Sequence, residues 1–276
     1  MDSRRRDYLH ALGIDVWQRR SLSTEPSEPP EHERPQAIIP AVASVAAQAN
    51  LQEQPQAAAR KPAPPPVTAA SSVIAQSAAD PRVAGFGWDE LESAVKQCTL
   101  CPLHQARTQG VFGVGNRRAR WMIIGEAPGA EEDRQGEPFV GRAGQLLNSM
   151  LKAIGLERRE VFIANILKSR PPNNRDPRPE EVRACLPYLF RQIELVDPVL
   201  ILCVGRIAAQ TLLETTTTIG KLRGRVHQLA TGRPMIVTYH PAYLLRSPAE
   251  KRKSWADLVL AMQTFAKLSR ASEAPA

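Results

Sequence analysis

Long apolar runs, aromatic rings and cysteines are all scarce in this sequence. No uninterrupted apolar stretch approaches the ~18 residues needed to cross a bilayer, so no membrane-spanning helix is expected. The opening segment MDSRRRDYLHALGIDVW has basic residues but neither a continuous apolar core nor a small-residue cleavage site. No secretory signal is therefore expected, and the chain reads as cytoplasmic. Aromatics make up 5% of the 276 residues, and none occurs between Trp17 and Phe86. The ring-free stretch from Ser21 to Arg82 holds 11 of the 24 prolines. Rich also in Ala, Ser and Gln, it cannot bury enough apolar area to offset the entropy of ordering. Residues 21–83 are expected to form a disordered linker.

What remains divides into a short arm and one domain. Residues 1–20 can form a helix whose stripe of Tyr8, Leu9, Leu12, Ile14 and Trp17 is flanked by Arg4–Arg6 and by Arg19 and Arg20. Two uses stay open: docking on a replication or repair protein, or packing back on the chain's own domain. Residues 84–270 carry that domain, with 271–276 as a disordered tail. Charge follows the same division. Residues 83–276 hold 27 Lys and Arg against 19 Asp and Glu, a net +8, whereas residues 1–82 hold 9 of each. A basic domain behind a neutral extension suits a polyanion partner, although many soluble domains are as basic without touching nucleic acid.

The domain alternates two textures. WMIIG (121–125), VFIANIL (161–167), VLILCVG (199–205) and MIVTYH (235–240) are short, apolar and β-branched. Around them lie helical patterns: WDELESAVKQC, AGQLLNSMLKAIG, RPEEVRACLPYLFRQIELV, RIAAQTLLE and KRKSWADLVLAMQTFAKLS. This alternation predicts an α/β fold, a three-layer αβα sandwich around a central, mostly parallel four-stranded sheet. In open α/β sheets the ligand site lies beyond the carboxyl ends of the strands. Three strands here end in unusual polar text: GEAPGAEEDRQGEPFVGRAG (125–144), Asn165 leading into KSRPPNNRDPRPEE, and His240-Pro241 followed by AYLLRS. Each alone has an innocent explanation, since Gly and Pro make turns and a lone His can be a satisfied polar residue. Three such ends on one rim point to a site.

Taken in this order, GEAPGAEEDRQGEPFVGRAG, NILKSRPPNNRDP and HPAYLL resemble the family 4 uracil-DNA glycosylases, the bacterial and archaeal iron–sulfur type. The resemblance spans about residues 88–268 and stops short of the N-terminal extension. It implies a uracil-DNA glycosylase-like fold, a monomer, and hydrolysis of the N-glycosidic bond of uracil flipped out of single- or double-stranded DNA. The alternative from another class is a non-catalytic DNA-binding module that keeps the pocket and recruits partners through the arm. A glycosylase branch that becomes covalently linked to DNA carries a basic, His-bearing insertion before RPP, which KSRPP lacks.

Removing uracil requires the nucleotide to leave the stack and enter a snug pocket. Phe139, in the turn EPFVG between Gly136 and Gly141, offers a flat apolar surface for the base, and the glycines suit an exposed loop better than a core position. Asn165, emerging from an apolar strand, can accept from uracil N3–H and donate to O4, whereas cytosine presents the opposite pattern. The resemblance assigns both residues these roles. Negative charge grows on the departing uracil, and preorganised donors near its O2 stabilise that anion. His240 matches the family's residue there and is expected to act as a neutral donor. Glu126 is the candidate for positioning water or stabilising the sugar cation, and the next position is Ala127, where other uracil glycosylases carry a catalytic Asp. By resemblance Glu132 pairs with Asn174, linking the first and second motif loops, while Glu131 and Asp133 read as solvated or loop-capping. Ala127 through Gly129 permit close approach of backbone N–H groups to the base and the attacking water. Arg170, Arg175 and the HPAYLLR loop would lie along the DNA, where phosphate contacts fix register. Leu244, Leu245 or Arg246 would fill the gap left by the flipped base.

Four cysteines in such a chain suggest a metal or cluster more than disulfides. Cys98-x-x-Cys101-Pro102 is a good start for iron–sulfur ligation, and Cys185 falls on the helix after RPPNNRDPRPEE. Cys203, in VLILCVG, reads as a small hydrophobe in a buried strand. In the family resembled, a structural 4Fe–4S cluster is held by a C-x-x-C pair, a Cys inside KCRPP and one about sixteen residues later. Cys98, Cys101 and Cys185 match, but the third position reads Ser169. Three outcomes stay open: a cluster on three thiolates with a Ser oxygen, water or no fourth ligand; a Cys203 nearer than its position suggests; or a lost cluster, with the fold held by packing. Zinc is the less favoured metal.

Overall fold

The computed structural model describes residues 73–273. The arm expected at 1–20 and most of the linker expected at 21–83 lie outside the described residues, as do 274–276. The chain runs through α1 (Val73–Ala78), α2 (Trp88–Gln97), β1 (Val114–Gly115), β2 (Trp121–Gly125), α3 (Ala130–Gln135) and α4 (Arg142–Ala153). It continues through β3 (Phe162–Asn165), α5 (Pro179–Val196), β4 (Leu200–Val204), α6 (Arg206–Leu212) and α7 (Ile219–Leu222). It ends with β5 (Val226–Gln228), β6 (Pro234–Thr238), α8 (Pro241–Arg246) and α9 (Lys251–Glu273).

The four apolar runs become the four parallel strands, in the order β3-β2-β4-β6. The sheet is wider than expected. Two short edge strands, β1 against β3 and β5 against β6, add antiparallel margins and bring the count to six. Every residue of β2, β3 and β4 is buried, as a strand covered on both faces requires. Alternate residues divide between two cores. Met122, Ile124, Ala164, Ile201, Cys203 and Val237 face Leu91 and Val95 of α2, Leu189 and Ile193 of α5 and Ala209 of α6. Trp121, Ile123, Ile163, Leu202 and Ile236 face Leu147 and Leu151 of α4 and Leu258 and Ala261 of α9. This is the three-layer sandwich.

Two expected boundaries move. Residues 73–83 were expected in the linker, yet α1 packs on α5 and Val83 joins the core at 5% exposure. Residues 271–273, expected in the tail, continue α9. No helix among the described residues is long and apolar enough to cross a membrane. From β2 the chain moves to β3 on one side, then crosses to β4 on the other. The order therefore reverses around β2, and the crevice beyond its carboxyl end is where such sheets bind ligands.

Candidate active site

A cavity of about 730 Å³ opens at that reversal, walled by Glu126, Phe139, Asn165, Arg206, His240 and Tyr243 among others. The three polar strand ends that the sequence singled out therefore meet. Arg206, the first residue of the helix after β4, is a fourth contributor that was missed. The strand-end rule applied to VLILCVG would have found it.

The inner end of the cavity is built around Gly125. It pairs in register with Asn165, and a Cβ there would stand 2.4 Å from Asn165 Oδ1 and 2.6 Å from Phe139 Cζ. Only a residue without a side chain leaves the slot between amide and ring open. Asn165 is 2% exposed, and its Oδ1 is the one buried side-chain polar atom among the described residues without a hydrogen-bond partner. An orphaned acceptor of this kind costs about 1–3 kcal/mol unless a ligand satisfies it. Behind it lies Lys168, which sequence reasoning passed over. Its buried Nζ donates to the Asn165 carbonyl at 2.8 Å and to Gln192 Oε1 at 2.6 Å. Burial pulls its pKa down to about 7.

Phe139 is a buried wall of the cavity at 6% exposure rather than the exposed loop residue expected, and its ring stacks on His240 with centroids 5.6 Å apart. Glu132 secures the following turn. One carboxylate oxygen accepts from the N–H groups of Val140 (2.9 Å) and Gly141 (3.0 Å), and the other from Gly129 N–H (3.1 Å). The expected Glu132–Asn174 pair is not made: both carboxylate oxygens of Glu132 are taken up by backbone N–H groups, and Asn174 turns to Arg170 instead. Asn174 Oδ1 accepts from Arg170 Nε at 2.8 Å. The backbone donors expected from Ala127 through Gly129 also shrink to one, since Pro128 has no N–H and that of Gly129 serves Glu132. Asp133 is not solvated; it is buried and caps the loop at Thr108. Glu131 is exposed and pairs with Arg134.

The His240 ring shows which nitrogen carries the proton. Ala242 N–H donates to Nδ1 at 3.1 Å, so Nδ1 is the acceptor and the proton of the neutral imidazole sits on Nε2. Burial, reinforced by Arg246 and opposed by Glu132, pulls the His240 pKa down to about 4. The ring is thus an uncharged donor at neutral pH. Gly205, at φ 104°, lets the ring lie close, since a Cβ there would touch His240 Cβ and Cδ2 at 3.2 Å. Glu126 is half-buried. Burial chiefly, with the Asp176 carboxylate adding and Arg206 opposing, pushes its pKa up to about 7. Asp176 and Arg206 themselves pair at 2.7 Å.

The rim is only partly as expected. Leu244 is 1% exposed and belongs to the core, so it cannot fill a gap in DNA. Its neighbour on α8, Leu245, is 37% exposed, and Arg246 is exposed and lines the cavity. Arg175 lines the cavity too, yet its guanidinium is held by Glu181 at 2.5 and 2.9 Å. It braces the RPPNNR loop, in which Asn173 and Asn174 take the left-handed backbone that Asn tolerates.

The thiols of Cys98, Cys101 and Cys185 lie near enough to feel one another's charge. Cys203 does not join them, since it sits inside β4 and only burial acts on its thiol. At the fourth corner, Ser169 Oγ accepts from Arg107 at 2.7 Å, and the same guanidinium donates to the carbonyls of Lys96 and Cys98. A hydroxyl is a hard donor for an iron–sulfur cluster, and this one is already engaged. Among the described residues no group of three or more His, Cys, Asp and Glu is gathered so as to hold a metal ion. The donor set does not fit a four-thiolate cluster.

Comparison with known proteins points to one family. Residues 112–260 match the family model described as the uracil DNA glycosylase superfamily. A type-4 uracil-DNA glycosylase of Archaeoglobus fulgidus is 47% identical over 167 residues, covering 58% of this chain and 84% of the relative. One from Pyrobaculum aerophilum is 44% identical over 181 residues, covering 62% and 91%. One from Thermotoga maritima is 47% identical over 154 residues, covering 55% and 80%.

Proposed function

The chain belongs to the uracil DNA glycosylase superfamily and is a DNA-repair glycosylase that excises uracil, and from that premise we propose how its residues divide the work. The flipped uracil enters the slot beside Gly125 and stacks on Phe139. Asn165 Oδ1 accepts from N3–H while its amide N–H donates to O4. The orphaned, buried Oδ1 is the observation that carries this reading, because a uracil N3–H is the partner it lacks. Cytosine offers a lone pair at N3 and would leave that acceptor unsatisfied.

The bond that breaks joins C1′ to N1. Its electron pair leaves with the uracil, and His240 Nε2–H donates to O2 as the negative charge grows. A neutral donor suits this task, since it stabilises the anion without having to give up its proton. Glu126, as the carboxylate, orients the attacking water and takes its proton as the new C1′–O bond forms, leaving an abasic site. Arg170, Leu245 and Arg246 contact the DNA around the extruded nucleotide, in single or double strands. A cytoplasmic location and a repair or replication partner for residues 1–20 complete the proposal. The 4Fe–4S cluster implied by the family resemblance takes no part in any of these steps.

One assay tests the reading: a uracil-containing oligonucleotide, the purified chain, and alkaline cleavage of any abasic site. Release of uracil that falls sharply in Asn165→Asp and His240→Ala is expected. No release at high enzyme excess would overturn it, and would leave a DNA-binding module without turnover.

A further inference from the structure

The ring that receives the base rests on a strained turn. Phe139 holds φ at 56°, a left-handed conformation that a bulky residue keeps only where its surroundings over-determine it. Glu132 holds one side, accepting from the N–H groups of Val140 and Gly141. The other side is held by Arg158, which lies in the single helical turn Arg158–Glu160 before β3, outside the three polar strand-end motifs. Its guanidinium donates to the carbonyl oxygen of Pro138 at 2.5 Å and to that of Phe139 at 3.2 Å. Gly144 admits the same carbonyl from below, since a Cβ there would lie 1.8 Å from Phe139 O. The peptide before the Phe139 Cα is therefore held by Arg158 through the Pro138 carbonyl, and the peptide after it by Arg158 at the Phe139 carbonyl and by Glu132 at the Val140 N–H.

We propose that Arg158 is a positioning residue for uracil excision, acting through the Phe139 ring without touching substrate. The inference rests on the reading of this cavity as the uracil site. Without Arg158, two carbonyls lose their donor, the turn relaxes toward ordinary right-handed backbone, and the ring moves off the plane set by Asn165 and His240. A displacement of about 1 Å in such a site costs on the order of 100-fold in rate. The loss falls on kcat, because DNA is held by its phosphates whereas the ring meets only the extruded base.

A double-mutant cycle tests this, using single-turnover rates on a uracil oligonucleotide for the wild type, Arg158→Ala, Phe139→Ala and the double variant. Arg158→Ala is expected to slow the rate about 10- to 100-fold, with KM for DNA changed by less than about twofold. In the Phe139→Ala background the same change is expected to cost less than about threefold, since no ring remains to be misplaced. Losses that multiply across the two backgrounds would overturn the proposal, as would a wild-type rate in Arg158→Ala. A purely structural role would lower the amplitude, which counts active molecules, and leave the rate constant unchanged. Should Arg158→Ala fail to fold, Arg158→Gln takes its place in the cycle under the same criteria. A wild-type chain that releases no uracil would overturn the underlying reading; an active wild type with multiplying losses removes only the role of Arg158.

Discussion

Glu126 is placed where its charge is useful to catalysis and costly to the fold, and the two effects can be separated by pH. Its pKa rises from 4.5 to about 7, first through burial and then through Asp176. A group whose folded pKa lies above its unfolded value contributes stability while protonated, and that contribution is lost as pH rises through the folded pKa. The span of about 2.5 units corresponds to about 3 kcal/mol at full ionisation. The cavity is open to water, so screening reduces the expected penalty to about 1–2 kcal/mol. Glu126→Gln removes the charge at all pH values. At pH 8 it should unfold later than the wild type, by about 2–8 °C for a domain of this size. At pH 4, below the unfolded value of 4.5, where the carboxyl is mostly protonated in both states, the two midpoints should converge. The measurement is a pair of thermal or urea melts at each pH, alongside the uracil assay, where the variant should be nearly inactive. A variant no more stable than the wild type at pH 8, or equally stabilised at both pH values, would refute the argument that Glu126 is held ionised against its surroundings.

The same shift predicts the pH profile of the reaction. Since the carboxylate is the working form, the single-turnover rate should fall about tenfold per unit below pH 7, and His240, neutral down to about 4, should add no second limb above that value. A rate independent of pH between 5 and 8 would contradict the role given to Glu126. His240→Ala should lower the rate on the order of 100- to 1000-fold, with DNA affinity by gel shift little changed. Gly125→Ala should close the base slot, because its Cβ would meet both Asn165 and Phe139; uracil release should be lost, and unaltered release would show that the base lies elsewhere. Ser169→Cys supplies the missing thiol, so iron per chain and the broad absorbance near ~400 nm expected of thiolate-bound iron should both rise above the wild type. A wild-type chain that already carries a full complement of iron would refute the view that Ser169 and Arg107 leave the cluster incomplete.

Much of this site was legible because catalysis interrupts an otherwise regular pattern. Asn165 and His240 stand where an apolar strand turns polar, and Glu126 follows Gly125 at the end of WMIIG; the sheet geometry then brings these ends together. The edge strands were not legible, since two and three residues carry no period. Other errors concern pairing rather than position. Glu132 lies three residues after Gly129 at the start of α3, the spacing of a helix-capping interaction, and that local partner prevailed over the distant Asn174. The missing N–H of Pro128 was likewise present in the sequence, and it leaves one donor fewer between Ala127 and Gly129. Leu244 and Leu245 are indistinguishable in composition, and only the direction each takes from α8 separates a core residue from an exposed one. Arg158 and Lys168 could not have been found from spacing, because most of their partners are backbone carbonyls, which every residue has. What a side chain does in this cavity depends on whether a neighbour has already satisfied it. That is why the unpartnered oxygen of Asn165 says more about function than the many arginines around the rim.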